Sequence, residues 1–159
     1  MLRIVAIDEK FFSDYDLFNV DNELIPNVEG GYNRPYVVIL RLVYNGLVQS
    51  FAIPFRSNIA GYRDRNEYFA LPTRKETRKG NIHGLHFIKM FPVHKQYFRK
   101  YKYPESNTNA ILTRNYIKKN SSKLVAEAQN YLNMFQNGYR PQYCVDISKL
   151  YAAIKKPSR

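Results

Sequence analysis

Tyr36-Val37-Val38-Ile39-Leu40-Arg41-Leu42-Val43 reads as a strand, Asn45-Gly46 as a tight turn, and Leu47 to Phe55 as the returning strand. β-branched and aromatic side chains suit a pleated, buried surface. Asn-Gly accepts the left-handed conformations that a two-residue hairpin turn demands. The hairpin predicts a fold built on antiparallel sheet. It also predicts that residues 32–36 and 54–58 meet at the end of the sheet opposite the turn, because the start of one strand lies beside the end of its partner.

Working outward, Leu2 to Ile7 is rich in Ile and Val and predicts a strand. Glu9 to Phe18 predicts a short helix capped by Asp8, with Phe11, Phe12, Tyr15 and Phe18 at helical spacing. Residues 19–34 hold Pro26 and Gly30-Gly31 and predict a loop. Residues 56–81 predict a long polar loop interrupted by Tyr68-Phe69-Ala70-Leu71, and a loop of that length is usually functional. Gly84 to Val93 predicts one further strand. Ala110 to Phe135 is helical in pattern, with a break at Asn120-Ser121-Ser122 and a stop at Gly138. Asp146 is placed to cap a last helix running through Ile154. Strands first and helices later predict an α+β class, with residues 1–159 as a single domain, a half-open β-barrel as its sheet and a long C-terminal helical segment.

Charge narrows the function. The net charge is +12, unevenly spread. Residues 1–55 carry 4 basic and 7 acidic side chains, a net of −3. Residues 56–102 carry 12 basic and 3 acidic, a net of +9. Residues 103–159 carry 9 basic and 3 acidic, a net of +6. A block of cations with so few interspersed acids attracts phosphate polymers. Tyr97-Phe98-Arg99-Lys100-Tyr101-Lys102-Tyr103 alternates rings with cations, which suits stacked, unpaired bases and hence RNA. The expected RNA-contacting set is Arg34, Tyr36, Asn58, Arg63, Arg65, Arg74, Lys75, Arg78, Lys79, His86, Lys95, Arg99, Lys100, Lys102, Arg114 and Lys118. Within it, Arg74, Lys75, Arg78 and Lys79 are phosphate contacts without base specificity.

Other classes recede. The chain has one cysteine, Cys144, read as a small hydrophobe, and no zinc spacing. There is no phosphate-binding Gly-rich loop, no HExxH, no GxSxG and no carboxylate cluster for magnesium. No metal or other cofactor is expected. The N-terminal apolar run ends at Asp8, too soon for a signal peptide, and no stretch has the ~20 apolar residues of a membrane span. A cytoplasmic protein with no membrane partner is expected.

RNA cleavage without metal needs help in removing the 2′-OH proton, cations for the charged phosphorane, and a donor to the leaving oxygen. Tyr32 to Tyr36, Pro54 to Asn58 and His83 to Val93 supply such groups. Ser57 equally suits a turn or cap, and His83 beside Gly84 suits an ordinary turn. Strand alternation places His86 and Lys89 on opposite faces. His94 reads as a surface residue.

Tyr32-x-x-Pro35, the hairpin, Pro54-Phe55-Arg56-Ser57-Asn58, Lys89-Met90-Phe91-Pro92-Val93 and the helix ending Ala128-x-x-Tyr131 follow one another in an order that resembles the type III toxins ToxN and AbiQ. Arg56-Ser57-Asn58 and His83-Gly84-Leu85 are closer to the CptN and TenpN branches. The resemblance runs over residues 1 to 136. It implies a MazF/Kid-like twisted, half-open β-barrel with additional helices. It implies a metal-independent, sequence-specific endoribonuclease, acting on mRNA in phage defence and leaving 2′,3′-cyclic phosphates. It also implies an antitoxin that is a repeated RNA pseudoknot, cut by the toxin and then retained in a ring-like protein–RNA complex. Tyr32 and Ser57 fall on the family's active-site tyrosine and serine. Where the ToxN pattern has lysines, this chain has Tyr36 and Ile59, so Arg56, Lys89 and Arg34 are the substitutes. The expected catalytic set is therefore Ser57, Lys89, Arg56, Tyr32 and His83, with Tyr32 or His83 as donor to the leaving oxygen. An RNA-binding module without catalysis and a DNA-binding regulator using the Asn107–Gln136 helices are the alternatives.

Overall fold

The computed structural model describes residues 1–101 and 108–156. Its centre is the expected hairpin: β4 (Tyr36–Tyr44) and β5 (Leu47–Ile59), joined by Asn45 and Gly46 at φ +52° and +74°. In sequence order the other elements are β1 (Leu2–Ile7), α1 (Glu9–Asp14), α2 (Leu17–Val20), β2 (Val28–Glu29), β3 (Tyr32–Asn33), β6 (Tyr68–Ala70), β7 (Ile82–His86), β8 (Phe91–Pro92), β9 (Phe98–Lys100), α3 (Thr108–Lys119), α4 (Ser121–Gln136) and α5 (Ile147–Ile154). The main sheet runs β6-β7-β5-β4-β1-β9, with all these pairings antiparallel. It stays open: among the described residues the edge strands β6 and β9 do not pair. The α+β class stands, while the sheet does not close into a barrel.

β4 reads as a continuous apolar run because the sheet is covered on both faces. Val37 and Ile39 point to a core shared with Ile117 of α3 and Leu124, Ala128, Tyr131, Leu132 and Phe135 of α4. Tyr36 and Val38 point the other way, to a core with Phe11, Phe12, Leu17, Leu150 and Ile154 from α1, α2 and α5. Gln129 of α4 receives the Val43 N–H at 2.8 Å and donates to the Val43 carbonyl at 2.9 Å, so the exposed end of the hairpin is bound to the helix layer.

The helix signals hold where a side chain does the work. Asp8 accepts from Lys10 N, Asp146 accepts from Ser148 N and Lys149 N, and Gly138 ends α4 at φ +101°. Asn120 separates α3 from α4 as expected. Three expectations change. The helix over 9–18 is two pieces, because Asp16 takes the left-handed conformation at φ +53°. Residues 19–34 contain the β2–β3 ribbon, with Glu29 opposite Tyr32. The strand over 84–93 is two strands, both on β5, separated by a 3₁₀ turn at Phe87–Lys89. Among the described residues no helix is long and apolar enough to cross a membrane.

Candidate functional site

The two ends meet as the hairpin geometry requires. Tyr36 pairs with Pro54, and Arg34 donates to the Phe55 carbonyl at 3.3 Å. Beyond this point β5 runs on to Ile59 and leaves β4 for β7, pairing Arg56 with Gly84. Pleating then sorts the side chains. Phe55 joins the α3–α4 side, and Arg56 joins the opposite side. Leu85 and His83 follow Phe55, while His86 follows Arg56. Gly84 is required between them, since a Cβ there would sit 2.7 Å from the Phe69 carbonyl oxygen of β6.

On the Arg56 side lies an open cleft of about 450 Å³. Arg56, His86, Lys89 and Arg63 line it, with Glu23 to Pro26 as one wall and Tyr62 and Tyr143 at its rim. Tyr62 is 85% exposed and Tyr143 59%, so both rings are open to a ligand. His86 and Lys89 thus share one site, against the alternation expected for a single strand. The 3₁₀ turn reverses the pleat between them.

The cations differ in how far they are committed. Lys89 donates to the Glu23 carbonyl at 3.0 Å, the Glu23 carboxylate at 3.2 Å and the Tyr143 carbonyl at 2.7 Å. All three ammonium protons are used, and Lys89 pins the wall to the rim. Arg63 is held by Glu67 at 2.7 Å and the Gln142 carbonyl at 2.8 Å. The Arg56 side chain makes no hydrogen bond or ion pair among the described residues. It is half-buried, and burial with Arg34 nearby lowers its proton affinity. A desolvated guanidinium with unused donors is a ready anion receptor.

His86 is 8% exposed, and neither ring nitrogen has a hydrogen-bond partner among the described residues. Burial, then Arg56, Lys89 and Arg63, push its pKa down to about 3 from 6.5. The imidazole is therefore neutral at pH 7. The unfolded chain binds a proton here from about pH 6.5 downward, whereas the native state resists until about pH 3. His86 therefore contributes stability that is present above pH 6.5 and lost as pH falls toward 3. His83, lowered by burial, adds in the same direction. Urea titrations from pH 7.5 to 4 should show stability falling through this window, with a shallower fall in His86→Phe. An equal slope in that variant would reject the assignment to His86.

The remaining expected residues separate. His83, 1% exposed, hydrogen-bonds through Nδ1 to the Pro72 carbonyl at 2.7 Å and lines a smaller cavity under α3 with Pro35, Phe55 and Arg74. It does not join Arg56, because odd positions of β7 face the helix layer. Ser57 sits where β5 and β7 lose register and lines neither space. Tyr32 is 81% exposed on the β2–β3 ribbon. Tyr36, expected on the RNA face, is a core residue at 1% exposure whose hydroxyl donates to Asn27 Oδ1. Its register opposite Val5 and Pro54 turns it inward.

Arg34 pairs with Glu29, Arg74 with Glu76 and Arg99 with Asp8. Arg65 lies over the Tyr68 ring. Lys75, Arg78, Lys79, Lys95, Lys100 and Lys118 are exposed, as is Arg114. Lys102 and Tyr103 lie outside the described residues. Asn58 receives the Arg78 N–H at 2.7 Å and donates to the Glu76 carbonyl at 3.0 Å, fastening the basic loop to β5. Sequence reasoning missed Tyr62, Tyr143 and the Glu23 wall. Tyr62 carried a signal, as a ring between Gly61 and the cations Arg63 and Arg65.

No family model and no curated protein matches the chain in sequence. Solved structures do match in fold. AbiQ, a lactococcal anti-phage endoribonuclease of the type III toxin–antitoxin class, superposes with a TM-score of 0.72 at 14% identity, over 98% of this chain and 96% of its own. The fold is that of the type III toxins. A second such structure, from work on toxin inhibition by a non-coding RNA pseudoknot in bacterial type III systems, gives 0.71 at 17% identity, covering 97% of this chain and 96% of the other. A third, from a bacterial antiviral system regulated by a processed non-coding RNA, gives 0.70 at 16%, covering 94% and 95%. The type III toxin fold thus spans both helix layers and the sheet that carries Arg56 and His86.

Proposed function

We propose that this chain is a one-domain endoribonuclease toxin of a type III system, on a MazF/Kid-like scaffold, inhibited by a pseudoknot RNA that it first cuts from a repeated precursor. The whole-chain fold likeness to an anti-phage endoribonuclease carries this reading. The cleft supports it: an uncommitted guanidinium, a neutral imidazole and two exposed tyrosines suit a phosphate with flanking stacked bases. In this reading Arg56 binds the phosphate undergoing attack and Lys89 fixes the cleft wall while adding positive charge. Ser57 orients the attacking 2′-OH and Tyr32 protonates the leaving 5′-oxygen. The reaction is a metal-independent transesterification on mRNA that leaves 2′,3′-cyclic phosphates. Lys75, Arg78 and Lys79 hold RNA backbone, and toxin and antitoxin close into a ring-like complex in the cytoplasm.

One observation favours a binding module without catalysis: neither Ser57 nor Tyr32 belongs to the cleft lining. Incubating total RNA with the protein in excess EDTA separates the two. Discrete new ends bearing cyclic phosphates, lost or strongly reduced in Ser57→Ala, are the expected result. Tight, salt-sensitive RNA binding with no cleavage would replace the nuclease with the binding module.

A further inference from the structure

Resting on the nuclease reading, we propose that His86 is a catalytic residue of the cleft, the group that accepts the proton of the attacking ribose hydroxyl. A buried imidazole ordinarily keeps at least one nitrogen hydrogen-bonded, because stripping water from both without replacement is costly. His86 ends β7 with both nitrogens unpartnered and lines the cleft at 8% exposure. Its cross-strand neighbour is Tyr68, so an aromatic hydrocarbon at position 86 would satisfy the packing. The fold does not need the nitrogens, and an incoming polar ligand does.

The surroundings fix its protonation state. Arg56 faces it from β5 and Lys89 from the 3₁₀ turn. Arg63 is neutralised by Glu67, Lys89 is shared with Glu23, and Tyr143 stands at the rim. Unneutralised charge near the ring is therefore mainly the Arg56 guanidinium. Burial first, and that charge second, keep the lone pair free but make it a weak base in the empty cleft. A phosphate bound to Arg56 cancels the repulsion and raises the basicity of the ring beside the hydroxyl it must deprotonate. The substrate itself thus offsets the Arg56 share of the lowered basicity.

In the step, the His86 lone pair takes the 2′-OH proton and the O2′ pair forms the new bond to phosphorus. The P–O5′ pair departs with O5′, which takes the Tyr32 proton. His86 then releases its proton to water and Tyr32 regains one from water, so both groups return to their starting states.

The test compares wild type with His86→Phe for thermal stability, RNA affinity and cleavage rate of one labelled RNA substrate in EDTA. We expect a Tm equal to or above wild type, RNA affinity within threefold, and cleavage at least 100-fold slower. His86→Ala should be slow and regain at least tenfold with added imidazole. The role is overturned if His86→Phe cleaves within tenfold of wild type, if its cleavage falls only in step with its affinity, or if imidazole leaves His86→Ala unchanged. Wild type that cleaves no RNA removes the nuclease reading along with it, whereas an active His86→Phe removes this role alone.

Discussion

Arg56→Ala should lower kcat/KM for RNA cleavage by about 100-fold or more, the scale seen when one donor to a developing oxyanion is removed. Arg56 is the cleft's uncommitted cation, since Lys89 and Arg63 already serve protein acceptors. Its half-burial strengthens any bond to phosphate, because the competing water has been removed. Arg56→Lys should recover only part of the loss, since it keeps the charge and gives up the planar fork. Thermal stability should hold in both variants. Among the described residues neither variant loses a side-chain hydrogen bond, and Arg56→Ala also relieves the repulsion from Arg34. Cleavage by Arg56→Ala within threefold of wild type would show that the phosphate binds elsewhere.

Asn27→Ala should destabilise the fold by about 3 kcal/mol, from the buried Ile7 carbonyl and Tyr36 hydroxyl left unpaired at ~1–3 kcal/mol each. Asn27 is 1% exposed. Its amide donates to the Ile7 carbonyl at 2.9 Å and the Glu9 carboxylate at 2.8 Å, and its oxygen receives the Tyr36 hydroxyl at 3.0 Å. Its own carbonyl receives the Arg34 N–H at 2.9 Å. One side chain therefore joins β1, α1 and β4 beneath the wall that supplies Glu23. Urea denaturation of Asn27→Ala, Tyr36→Phe and the double variant would measure the coupling. A cost below about 1 kcal/mol for Asn27→Ala would mean that water replaces these bonds.

The hairpin, the caps at Asp8 and Asp146 and the stop at Gly138 were legible because each is written in adjacent residues and satisfied locally. The meeting of Arg34 with Phe55 followed from the hairpin alone. The cleft was less legible because a non-local event builds it. The 3₁₀ turn at Phe87–Lys89 brings Lys89 round to the side of His86, and no spacing rule announces a turn inside Phe87-Ile88-Lys89-Met90. Tyr36 misled for a related reason: its position beside Pro35 suggested the site, while its register opposite Val5 turned it into the core. Neither Asn27 nor Glu23 stands in a pattern, and both matter through partners far away in sequence.

The basic loop is fastened lightly. Asn58 grips it at Glu76 and Arg78, and Gly61 lies so close to the Gly80 carbonyl that no side chain fits between them. Lys75, Arg78 and Lys79 project from this short tether and contribute nothing to either hydrophobic layer. Inheritance can therefore rewrite the loop's letters while the scaffold beneath keeps its shape.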